Sequence, residues 1–115
     1  MPNVGGRGRR AVDSYPALTK MLDGYFHQDM LVEYGGAAAA ARTYARDATA
    51  AERAAAAREL ARFIQATSGL PLAEVRRLLG GLGGAWRPPS EAALREVLAR
   101  LQDDASASGL QRRPQ

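Results

Sequence analysis

The chain has 115 residues and a mass of 12.3 kDa, one domain's worth. With no cysteine and a single histidine, His27, it carries no disulfide framework, no thiolate or multi-histidine metal site and no recognisable Ser-His-Asp machinery. The formal charge of +4 belongs to the ends: Arg7, Arg9, Arg10, Arg112 and Arg113 leave a body, residues 13–104, holding 11 bases against 12 acids.

Ser14 is placed to cap a first helix with Pro16 in its first turn, and Tyr15, Leu18, Leu22, Tyr25 and Phe26 share one face of it. Gly35-Gly36 interrupts the chain before an alanine run over 37–48, whose one large apolar group is Tyr44. Thr49-Ala-Ala-Glu52 has the form of a capping box. It opens a third helix with Ala56, Ala57, Leu60, Phe63 and Ile64 inward, ending at Ser68-Gly69. Pro71 opens a fourth, carrying Leu72, Val75, Leu78 and Leu79, which is predicted to end in the glycines from Gly80 to Gly84. Trp86-Arg87-Pro88-Pro89 reads as an extended crossing segment. Ser90 caps the fifth helix, where Leu94, Val97, Leu98 and Leu101 fall at i, i+3, i+4 and i+7. The expected architecture is all-α, a compact bundle of about five helices over residues 13–103. Disordered basic tails are expected over 1–12 and 104–115. Leu22, Tyr25, Phe26, Leu60, Phe63, Val75, Leu79, Trp86, Leu94 and Leu98 form the predicted core.

Few constellations carry chemistry. Asp29 could orient His27 as a general base, but no nucleophile motif or oxyanion hole accompanies them. The expected role of the pair is to cap the first helix and hold the loop after it. Gly80-Gly-Leu-Gly83 matches a backbone-clamping G-x-x-G loop; without flanking strands it reads as a helix stop. Residues 61–80 resemble a helix-turn-helix, with Gly69 in the turn, Ile64, Leu70, Val75 and Leu78 at buried positions, and Arg76 and Arg77 on the second helix. Gln65, Ser68, Pro71 and Glu74 depart from that pattern, and DNA binding is the alternative reading. Trp86 is expected to plug the core, its N–H bonded to a carbonyl. No apolar run approaches the ~20 residues of a membrane span, and no apolar stretch follows the basic N-terminus, so a cytoplasmic location without a membrane partner is expected.

The run Tyr15-Pro-Ala-Leu-Thr-Lys-Met-Leu-Asp-Gly-Tyr-Phe-His-Gln-Asp29 resembles the opening signature of small helical immunity proteins from bacterial contact-dependent growth inhibition systems. Glu74-Val-Arg-Arg-Leu-Leu, the glycine-rich stretch and a last helix after an aromatic-proline turn follow that family's layout. The resemblance implies a cytoplasmic, non-enzymatic inhibitor with no cofactor, no metal and no small-molecule substrate. Its partner would be the toxic C-terminal domain of a cognate effector, commonly a nuclease. Nucleic acid would bind only weakly, through the basic tails. A nuclease site is cationic, so an acidic patch would speed encounter. Residues 13–34 carry Asp13, Asp23, Asp29 and Glu33 against Lys20 alone. The expected toxin-binding residues are therefore Asp23, His27, Asp29, Glu33 and the aromatic Tyr34.

Overall fold

A computed structural model of the chain describes residues 11–112, with side chains from 13 to 102. Among the described residues there are seven helical segments and no strand: α1 Ala11–Ser14, α2 Pro16–Tyr25, α3 Met30–Tyr34, α4 Ala37–Asp47, α5 Ala50–Ala66, α6 Leu72–Leu82 and α7 Glu91–Arg112. The all-α expectation holds. The first expected tail lies mostly outside the described residues. In the second, the backbone continues α7 through Arg112, since Ala105 and Ala107 favour helix and no proline intervenes before Pro114.

Helix α7 packs along α4 and α5, α2 packs on α5, α3 lies on α4, and α6 sits against α1 and α2. The core these contacts enclose includes Leu18, Met21, Leu22 and Phe26 from α2 and its end, Leu60, Phe63 and Ile64 from α5, and Leu94, Val97 and Leu101 from α7. Alanines fill the closest approach, with Ala40, Ala41, Ala45 and Ala56 all buried. That is the physical use of the alanine run: small side chains let α4 and α7 come together, while the Tyr44 hydroxyl donates to the Glu52 carbonyl of α5 at 3.2 Å.

Several expectations change. Ser14 is not the cap of α2; it closes α1, and Pro16 at the first helical position moves the cap to Tyr15, which makes no side-chain cap bond. The cap comes from another helix instead: Glu59 of α5 accepts the Leu18 N–H at 2.9 Å, placing a carboxylate at the positive end of α2. Arg62 donates to the Ser14 carbonyl and lies over the Tyr15 ring, 4.7 Å from its centroid. The Thr49–Glu52 capping box is present in both directions, at 2.9 and 3.0 Å.

Helix α6 ends within the expected glycine stretch, with Gly83 as its C-cap. It runs on to Leu82, because Leu82 is buried and holds the last turn down, while Gly80 and Gly81 face outward. Tyr25, Leu98 and Trp86 are half-buried rather than buried. On α7 three of the four positions of the expected stripe, Leu94, Val97 and Leu101, are fully buried, and Leu98 packs at its edge. Trp86 rests against Phe26 with ring centroids 5.3 Å apart and borders the core.

The helix-turn-helix geometry is not formed. Leu70, expected inside, is 42% exposed, and α6 makes its main contacts with α1 and α2 instead of α5. Arg76 donates to the Pro88 carbonyl at 2.8 Å and Arg77 pairs with Glu74, so both guanidinium groups are engaged within the chain.

Candidate functional site

The segment from Asp23 to Tyr34 turns back on itself. Phe26 ends α2 and is fully buried, His27 to Asp29 form a tight connection, and α3 follows for little more than one turn. Its hydrogen bonds are local: Met30 N–H to the His27 carbonyl at 3.0 Å, and Glu33 N–H to the Asp29 carbonyl at 2.9 Å. Gly35 closes it in the left-handed region, φ 95°, with its N–H reaching the Leu31 carbonyl at 3.0 Å.

An open groove of about 480 Å³ lies beside this segment, lined by Asp23, His27, Gln28, Asp29, Glu33, Gly84 and Ala85. Four of the five expected residues thus line one surface, and no lysine or arginine is among the lining residues. Asp23 has a second task. Its carboxylate accepts the Gly84 N–H at 2.8 Å, and the Ala85 N–H donates to the Phe26 carbonyl at 2.8 Å. The loop after α6 is thereby fastened to the end of α2. Gly84, at φ 68°, could carry no side chain there, since a Cβ would stand 2.7 Å from the Leu22 carbonyl oxygen and 2.9 Å from that of Phe26.

His27 is held from both sides. Its Nδ1 accepts the Asp29 backbone N–H at 3.1 Å, and its Nε2 stands 3.2 Å from Glu33 Oε1, which places the proton of the neutral ring on Nε2. The carboxylate partner is Glu33, not Asp29. Asp29 contributes its backbone, and its side chain is exposed. The Asp29-oriented general base is therefore not present. The end of α2 is closed by the Phe26 backbone N–H rather than by either side chain. Of the expected role only the holding of the loop is seen, through His27 Nδ1 on the Asp29 N–H.

Tyr34 lies on the inner side of α3. It stacks on Tyr25 at 5.6 Å between centroids and is half-buried. Burial, and next the Glu33 carboxylate, push its hydroxyl above the ordinary phenol range. Tyr25 in turn donates to Asp47 at 2.7 Å; burial and then that hydrogen bond push its pKa up to about 12. Met30 is buried on the same side as Tyr34, one turn away. At ~100° per residue, that pairing turns Val32 to the opposite side of α3, with Leu31 and Glu33 on its flanks. Val32 is 89% exposed and Leu31 69% exposed. The sequence reading assigns no element to residues 30–34 and so does not single out this pair. The signal lay in the i, i+4 spacing of Met30 and Tyr34.

The groove is thus acidic, with Glu33 on its side of α3, Val32 at the outer crest of that helix and Leu31 on the far flank. Among the described residues no group of three or more His, Asp or Glu side chains is arranged to hold a metal ion. No described helix is long and apolar enough to cross a membrane.

No curated protein and no solved structure matches the chain. The family model described as CdiI immunity protein does match it, over residues 14–105, a span that takes in α2 to α6, most of α7 and the whole groove. With that match covering most of its length, the chain belongs to the CdiI immunity protein family.

Proposed function

We propose that this chain neutralises a cationic nuclease toxin by stoichiometric binding, with the groove between α2, α3 and the Gly84 loop as the docking surface. Family membership supports an immunity function against contact-dependent growth inhibition toxins. The observation that carries the finer reading is the grouping of Asp23, Asp29 and Glu33 around one groove without a lining base. A nuclease domain needs positive potential to hold phosphate, and an acidic counterpart raises its association rate and covers the path its substrate takes. Asp29 and Glu33 supply the outward charge, His27 holds Glu33 in place, Tyr34 backs α3, and Asp23 fixes the groove floor. The activity resides in residues 13–103, without catalysis, cofactor or small-molecule substrate, in the cytoplasm that the toxin enters.

The test is titration of the purified cognate effector C-terminal domain with this chain while its nuclease activity is followed. The proposal expects activity to fall linearly to zero at one equivalent, and residues 13–103 alone to do the same. Inhibition well below one equivalent would indicate turnover and contradict it. A toxin domain with no nuclease activity would remove the nuclease part.

A further inference from the structure

Leu31 and Val32, at 69% and 89% exposed, are two of the three large apolar side chains left open to solvent among the described residues, and they are adjacent. Nothing in the fold requires them. Met30 and Tyr34 already attach α3 to the body, and the hydrogen bonds of Glu33 and Gly35 close its single turn. A β-branched residue at the crest of so short a helix adds little helix propensity and buries almost no area. An exposed apolar patch held on a rigid support is the usual mark of a contact surface.

We infer that Leu31 and Val32 form the apolar anchor of the toxin interface, inserting into a nonpolar pocket rimmed by basic side chains. This inference rests on the proposed docking at the groove. The flanking charges define the occupant: Glu33 lies on one side of the crest, and Asp29 precedes α3 with its carboxylate exposed. A second copy of this chain fits poorly, because a two-fold contact through the crest would bring Asp29 and Glu33 toward their own equivalents. A basic rim around an apolar pocket satisfies both elements together. The local hydrogen bonds also hold the anchor in its bound shape, which limits the ordering cost of association.

The experiment uses the full chain and the purified cognate toxin domain, with association and dissociation rates measured over a salt series. Leu31→Ser, Val32→Ser and the double variant are compared with Asp29→Asn and with the wild-type chain. The double serine variant is expected to dissociate at least tenfold faster at every salt concentration, with an unchanged thermal midpoint. Asp29→Asn is expected to slow association, mainly at low salt. Unchanged dissociation of the double serine variant from a toxin that binds the wild-type chain overturns the anchor and leaves the toxin-binding reading intact. A wild-type chain that does not bind the toxin overturns both. A wild-type dimer that Val32→Ser converts to monomer overturns the anchor in favour of self-association.

Discussion

The Asp23 carboxylate accepts the backbone N–H of Gly84 at 2.8 Å, joining two positions 61 residues apart in the chain. From composition and charge Asp23 is a free steering acid; in the folded chain it is the fastening of the loop that forms the groove floor. Asp23→Ala is therefore expected to lower stability by up to about 1.5–3 kcal/mol, the range for hydrogen bonds to charged groups. Asp23→Asn, whose amide oxygen can still accept, should lose less. Urea denaturation of the three proteins measures this, and equal midpoints for Asp23→Ala and the parent would show that the bond contributes nothing.

Opposite outcomes are expected from alanine at neighbouring glycines. Gly80 and Gly81 are helical, face outward and have nothing within 4 Å of an added Cβ. Each alanine there should add about 0.5–1 kcal/mol, since glycine loses more chain entropy on folding. Gly84→Ala should cost about 1–3 kcal/mol or more, because the left-handed backbone is strained and the methyl meets two carbonyl oxygens. Thermal midpoints of the three single variants separate the two cases.

How the glycines divide indicates what was legible in the sequence. The capping box, the break at Gly35-Gly36 and the burial of Leu60 and Phe63 follow from local pattern, and the structure has them. Local pattern could not distinguish Gly80 from Gly84, because the difference is made by Leu22 and Phe26, far away in sequence. The cap of α2 was hidden for the same reason, since Glu59 reaches it from α5. Four expected site residues line one groove because they are close in sequence as well as in space. Val32 does not stand out in the sequence because α3 offers a single i, i+4 pair, Met30 and Tyr34, as its only periodic signal.

Core substitutions on α7 should follow the observed stripe. Leu101 is fully buried, so Leu101→Ala is expected to cost about 2–5 kcal/mol. Leu98 is half-buried, and Leu98→Ala should cost less. Chemical denaturation of both variants checks the order, and a larger loss at Leu98 would mean that α7 is rotated.

The Tyr25 hydroxyl gives a pH signature. Its pKa is raised to about 12 in the folded chain, whereas an unfolded tyrosine ionises near its ordinary value of 10.0. The raised value means that the neutral form is bound more tightly by the fold. Its contribution is thus complete below pH ~10 and is lost as pH rises toward ~12. Tyr25→Phe should remove that part of the alkaline fall in stability. Tyrosinate absorbance, followed alongside the unfolding midpoint, would show the late-ionising fraction, to which Tyr34 and Tyr44 also contribute, smaller by one tyrosine in the variant.

Because the whole functional account depends on where the toxin docks, amide chemical-shift mapping of the isotope-labelled chain against the unlabelled cognate toxin domain tests it most directly. The largest changes are predicted at His27 to Glu33 and at Gly84 and Ala85, the groove and the crest above it. Changes concentrated instead on the outward arginines of α4 and α5, such as Arg42, Arg46 and Arg58, with the groove amides unmoved, would contradict the account.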